Sequence, residues 1–131
     1  MRSRLNDAAR LGAILAILIL AAVHPYAQAQ EVRLLVQRSS LAGYRYHEAP
    51  RLRDALRAGE TIDLIREAEN PYDANAVRVD WRGHKLGYVP RTQNAALAWA
   101  MDRGQEVEAR IVPRQAAGKK SRRLEFEVYV K

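Results

Sequence analysis

Six short stretches of this chain alternate apolar and polar residues with a period of two, and each is cut off by turn-forming residues. That period belongs to strands with one face buried, not to helices. Val32, Leu34 and Val36 alternate with Arg33, Leu35 and Gln37, which predicts a half-buried strand. Ile62 and Leu64 share one face of a second strand between Thr61 and Glu67. In the third, Val77, Val79 and Trp81 are set inward, with Arg78 and Asp80 outward. His84 to Val89 supplies the fourth, which Pro90 ends, and Arg82-Gly83 before it suits a hairpin turn because glycine accepts positive φ. Val107, Ala109 and Ile111 line a fifth, and Leu124, Phe126, Val128 and Val130 a sixth. Short strands with turn signals every ten or so residues predict a mainly β fold, a small closed six-stranded barrel of OB-like or SH3-like type.

One or two short helices interrupt the strands. Pro50 at a first turn, Leu52 and Leu56 one turn apart, and Gly59 as a stop predict the first. Thr92 or Asn94 can cap a second, in which Leu97, Ala100 and Met101 fall at helical spacing before Gly104. The N-terminus has a different character. Arg2, Arg4 and Arg10 precede an apolar run from Leu11 to Val23, then Pro25 and the small residues of Ala27-Gln28-Ala29. That order is the layout of a secretory signal peptide. The run is thirteen residues long, short of the roughly twenty that span a bilayer as a helix. The expectation is cleavage after Ala29, a mature domain of residues 30–131, and export to the periplasm or the extracellular space.

The mature domain has room for one core. Three arginines against Asp7 give the leader +2 of the total charge of +7, which leaves +5 on the domain. Such a field favours anionic partners such as nucleic acid, acidic glycan or lipid headgroups, and it also simply promotes solubility. The chain has no cysteine, so disulfides, thiol nucleophiles and cysteine-ligated zinc are excluded. Only His47 and His84 remain after processing, too few for a three-histidine metal site. No cofactor is expected.

The segment with most chemical content is Asn70-Pro71-Tyr72-Asp73. Asn and Asp side chains bond local backbone groups and Pro fixes φ, so the segment specifies a rigid turn. In the plainer reading the turn only joins two strands and Tyr72 packs on the barrel rim. In the other, a nucleobase stacks on Tyr72, worth about 1–3 kcal/mol. Asp73 repels phosphates but accepts a hydrogen bond from a terminal sugar hydroxyl, so it selects a free 3′-OH over a 3′-phosphate. Upstream, Tyr44-Arg45-Tyr46-His47 offers Arg45 as a phosphate clamp and Tyr46 as a second stacking face. It reads equally as a strand with Tyr44 and Tyr46 half-buried on one side and Arg45 solvated. Lys85 or His84 can reach a backbone phosphate, although exposed strand lysines are usually just solvated. Trp81 and Tyr88 are expected to be mainly structural. A basic hairpin loop carries Arg114, Lys119, Lys120, Arg122 and Arg123; it either tracks a phosphodiester backbone, with strong salt dependence, or is a solvated loop.

Three segments in this order, Leu41-Ala42-Gly43-Tyr44-Arg45-Tyr46-His47, then Asn70 to Val79, then Gly87-Tyr88-Val89-Pro90, are similar to the HIRAN domain. This small β-rich module is best known at the front of some SWI2/SNF2-type DNA-repair helicases. The resemblance covers roughly Val32 to Val112. It implies a binder of single-stranded DNA ends in which Arg45 and Tyr46 contact the terminal nucleotides and Asp73 meets the terminal hydroxyl. Asn70, Tyr72 and Lys85 complete that set. The resemblance implies no catalysis, because the family's ATPase, RING or nuclease activities belong to fused partners. This chain has neither a G-x-x-x-x-G-K-(S/T) phosphate loop nor a cysteine-rich zinc module.

Two further readings stand beside it. An exported barrel can serve as an envelope interaction module for a protein, a glycan or another polyanion. A small hydrolase built on Glu67, Glu69, Asp73 or Asp80 is less favoured, since no nucleophile–base pair is evident.

Overall fold

In the computed structural model, which describes residues 32–113 and 124–131, all six strands form. They are β1 (Leu34–Ser40), β2 (Thr61–Arg66), β3 (Val77–Trp81), β4 (His84–Tyr88), β5 (Val107–Ile111) and β6 (Glu125–Val130). Every pairing is antiparallel, in the spatial order β1-β6-β5-β2-β3-β4. Strand β2 turns the corner: Thr61 and Ile62 pair with β5, while Asp63 to Arg66 pair with β3. The two ends of the sheet then meet. Ala42, just past β1, exchanges both backbone hydrogen bonds with Tyr88 of β4, at 2.8 and 3.0 Å. That join closes the barrel.

The closure depends on Gly87. A Cβ placed there would lie 2.2 Å from the Ala42 carbonyl oxygen and 3.1 Å from the Leu41 side chain. The alternating apolar residues fill the interior, with Phe126, Leu86, Val77, Val79, Val89 and Val128 its largest fully buried apolar side chains. The β3–β4 hairpin turns on Arg82 and Gly83, both at positive φ (47° and 80°). That pair of values matches the primed turns that suit twisted hairpins.

Two short helices form, the second where expected and the first shorter than the Pro50 to Gly59 stretch, ending at Leu52 so that Leu56 is buried from the turn beyond it. Helix α1 (Ala49–Leu52) is a single turn opened by Pro50, and α2 (Ala95–Asp102) packs Leu97 and Ala98 inward. Among the described residues no helix is long and apolar enough to cross a membrane.

Three details depart from the sequence reading. The first half of β1 is exposed on both faces, Leu34, Leu35 and Val36 included; its register with β6 slips between Leu35 and Gln37, and none of the described residues covers either side. Tyr44 to Tyr46 form a 3₁₀ turn after Gly43 (φ 73°), not a strand. Asp80 is buried, since Arg78 folds over it in a two-pronged ion pair at 2.9 and 3.2 Å. The predicted leader and the basic loop from Arg114 to Arg123 lie outside the described residues.

Candidate functional site

Between β2 and β3 the chain makes a turn that its own polar side chains build. The Asn70 Oδ1 accepts the backbone N–H groups of Tyr72 (2.9 Å) and Asp73 (3.2 Å). Asp73 Oδ1 then accepts the N–H of Asn75 at 3.0 Å. Backbone bonds from Glu67 to Ala76 and from Ala76 to Asp73 clamp the base of the turn. With the N–H groups of Tyr72, Asp73, Asn75 and Ala76 satisfied within it, the turn holds the Tyr72 ring out in solvent, 85% exposed.

The other carboxylate oxygen of Asp73 faces helix α2. Asn94 Nδ2 donates to it at 2.7 Å, and Arg91 Nε lies 3.7 Å away. Asn94 stands at the N-cap position but makes no side-chain cap bond; its buried amide goes to Asp73 instead. Arg91 also donates to the Tyr72 carbonyl. The Asn75 N–H bond is the main influence holding the Asp73 carboxyl below its ordinary value; burial opposes it, and Asn94 and Arg91 add to it. Asp73 is therefore ionised at neutral pH. A carboxylate has about four acceptor positions, so Asp73 retains capacity for a ligand's hydroxyl.

The facing wall comes from β4, through a bulge. Arg78 of β3 pairs with Tyr88 and Asp80 with Lys85, so one extra residue sits between them on β4. A bulge re-aims side chains, and here it places Lys85 and Tyr88, three apart, on the same face. Lys85 Nζ lies 4.6 Å from the Tyr88 ring centroid, and His47 meets that ring edge-on at 5.9 Å. The Tyr88 hydroxyl donates to Glu67 Oε1 at 2.9 Å. Glu67 also accepts from Asn70 (3.1 Å) and Arg78 (2.9 Å), which ties the two walls together. Burial pushes the Glu67 carboxyl up, but these three hydrogen bonds outweigh it and leave the group below its ordinary value.

Between the walls lies an open cleft of about 390 Å³, within the size range of small-ligand sites. Asn70, Tyr72, Asp73 and Lys85, all named from the sequence, line it. Arg45 and Tyr46 do not. They project into solvent from the 3₁₀ turn between Ala42 and His47, two residues that do line the cleft. His47, Tyr88 and Arg91 are lining residues that the sequence reading left without a binding role. For Tyr88 a strict period of two points the wrong way, placing it with buried Leu86, and only the bulge turns it into the cleft. Nothing local marked Arg91. Among the described residues no group of three or more His, Cys, Asp or Glu is placed to hold a metal ion.

The family model for the HIRAN domain matches residues 34–131. The Helicase-like transcription factor of Oryctolagus cuniculus is 36% identical over 66 residues, 50% of this chain and 6% of that protein. A putative SWI/SNF-related matrix-associated actin-dependent regulator of chromatin (subfamily A member 3-like 1) from Arabidopsis thaliana is 29% identical over 93 residues, 70% of this chain and 10% of the relative. The chain thus spans a tenth or less of the length of these curated relatives. A crystal structure of a Lactobacillus plantarum protein is similar at a TM-score of 0.64 and 30% identity, covering 76% of this chain and 95% of that one. The crystal structure of the HIRAN domain of human HLTF shares the fold at a TM-score of 0.59 and 23% identity, covering 77% and 80%. By the extent of the family match, and by a barrel of the same fold, this chain belongs to the HIRAN domain family.

Proposed function

We propose that the cleft is a nucleic-acid-binding site without catalysis of its own, and that its ligand is the end of a single DNA strand carrying a free 3′-OH. The observation that carries this reading is the pairing of a solvent-held aromatic, Tyr72, with an ionised acid, Asp73, in a cleft that also presents Lys85 and Arg91. The aromatic offers a stacking face that any base can use. The cations meet the phosphate, and the acid accepts the terminal hydroxyl. A terminal phosphate would bring two or so negative charges against Asp73, with Arg91 relieving only part of the repulsion. Arg45 and Tyr46, exposed on the neighbouring turn, supply a further phosphate contact and a second stacking face. Relatives named as a helicase-like transcription factor and a regulator of chromatin support a nucleic-acid partner.

Fluorescence anisotropy with labelled strands ending in 3′-OH, 3′-phosphate or a blocked 3′ carbon tests the reading at two salt concentrations. The free 3′-OH strand binds best, Asp73→Ala flattens that preference, and Arg45→Ala weakens all three. Equal, weak binding to every polyanion would overturn it. The leader proposed for residues 1–29 is tested separately, by N-terminal sequencing of the protein from fractionated cells; an intact Met1 on cytoplasmic protein would refute export.

A further inference from the structure

We propose that a strand anchored in the cleft continues over the outer face of α2, where a base stacks on Trp99 and Arg103 meets the backbone; this rests on the nucleic-acid reading of the cleft. The chain has two tryptophans, and they are opposites. Trp81 is 7% exposed and belongs to the core, whereas Trp99 is 61% exposed. Helix α2 meets the barrel through Leu97, Ala98 and Met101, so Trp99 is turned away from the packing that stabilises the helix. Tryptophan is highly buried on average, so an exposed indole stands out on a surface. This one carries the Arg103 guanidinium 4.4 Å from its ring centroid. An exposed aromatic beside a cation is the combination that sequence-tolerant binders of single strands use.

The face is continuous with the cleft. Arg91 lines the cleft and lies three residues before the N-cap, and Thr92, Ala95 and Ala96 between it and Trp99 are exposed. The two alanines leave a surface of low relief between the rim cation and the indole. From Asn94 to Trp99 is five residues, about 7 Å along the helix axis, or roughly two steps of a stacked strand at about 3.4 Å each. The helix is also registered against the site at both ends. Asn94 holds Asp73 at its N-terminus, and at its C-terminus Asp102 pairs with Arg66 at 3.0 and 3.2 Å. Trp99 therefore keeps a fixed offset from the terminal pocket.

The test uses the full chain with 3′-OH oligothymidines from dimer to octamer, following affinity by competition anisotropy and intrinsic tryptophan emission together. Because Trp81 is buried, quenching reports on Trp99. The dimer binds without quenching. From about four nucleotides onward the emission is quenched and affinity rises roughly fivefold to tenfold. Trp99→Ala removes that gain, so that long and short strands bind alike, and Trp99→Phe restores part of it. Arg103→Ala reduces the salt dependence for long strands only. Dimer binding with no gain and no quenching at any length would overturn the α2 path while leaving the cleft reading intact. An equal loss at every length in Trp99→Ala would also overturn it, since that pattern marks a structural effect. Failure of every strand to bind would end both proposals. Quenching by an added protein partner, with no response to octathymidine, would assign the indole to protein docking and reject the path.

Discussion

The two turns that flank the cleft are built in opposite ways. The turn from Asn70 to Asn75 is held by its own side chains: Asn70 accepts two backbone N–H groups, Asp73 accepts a third, and the buried Asn94 secures Asp73 from outside. The turn from Tyr44 to Tyr46 has one backbone bond of its own, Tyr46 N–H to the Gly43 carbonyl at 3.0 Å, and is otherwise held by the barrel: by the seam at Ala42, by Tyr44 packed against the core, and by Glu48 N–H on the Lys85 carbonyl at 3.0 Å. No side-chain hydrogen bond or ion pair among the described residues holds Arg45 or Tyr46, and Tyr46 is 86% exposed. One turn presents its aromatic by local design. The other presents Tyr46 because the barrel closes nearby. The first carries most of its own restraints, and the second is as well placed as the barrel beneath it.

The comparison breaks most sharply at that seam. Gly87→Ala forces a Cβ against the Ala42 carbonyl, which is backbone and cannot rotate away. The expected destabilisation is about 3 kcal/mol, the upper part of the overpacking range, read from the denaturation midpoint at unchanged slope. Strand binding falls as well, because the Tyr44–Tyr46 turn moves off Tyr88 while the Asn70–Asn75 turn keeps its bonds. A Gly87→Ala protein as stable as the parent would show that the seam does not place the turn.

A paired test at the two turns comes next in size. Asn70→Ala strips an acceptor from two N–H groups and a donor from Glu67. Hydrogen bonds that water can partly replace are worth about 0.5–1.5 kcal/mol each, so stability falls by at least about that much, and binding weakens with it. Tyr46→Ala touches nothing that holds the fold, so its stability stays within about 0.5 kcal/mol of the parent, while strand affinity drops by about 1–3 kcal/mol for the lost stacking face. Equal stability losses in the two variants would erase the distinction between the turns.

The sequence carried this contrast only in part. Asn70, Pro71 and Asp73 act on their immediate neighbours, so the rigid turn could be read from four letters. The six strands were also legible, because burial of one face imposes a period of two. What could not be read was whatever a distant partner decides. The alternating residues of β1 promised a buried face, yet alternation does not say whether another element covers it, and none of the described elements does. Tyr44 and Tyr46 alternate like strand residues, but Gly43 at φ 73° turns the chain into a 3₁₀ turn before any ladder can form. Asn94 looked like a helix cap, which would use its Oδ1 as an acceptor; what the fold uses is its Nδ2, which donates to Asp73 across the loop, and no side-chain cap bond forms. Asp80 was read outward because period two cannot foresee Arg78 folding over it. Lys85 and Tyr88 would face opposite ways in a regular strand, and only the bulge in β4 puts them on one wall.

The smallest expected effect sharpens the comparison through His47, the residue where the looser turn enters the cleft. Burial, and after it the nearby charge of Lys85, holds the His47 ring below its ordinary value of 6.5. The folded, empty protein thus takes up fewer protons than the unfolded chain, and His47 costs stability as pH falls below about 6.5 and towards its depressed folded value. A bound phosphate reverses part of that depression, because an anion near the ring favours the imidazolium. Binding then takes up a proton in the same window, and affinity rises as pH falls. Asp73, held below its ordinary value, stays ionised across this range and does not contribute to the slope. The expected affinity gain between pH of about 7.5 and 5.5 is about twofold. His47→Gln keeps a polar ring-sized neighbour for Tyr88 and should bind with no slope. A flat profile in the parent protein, or an unchanged slope in His47→Gln, would mean that the seam-borne turn leaves the ligand's phosphates untouched and that the self-bonded turn, with Lys85 and Arg91, holds the strand alone.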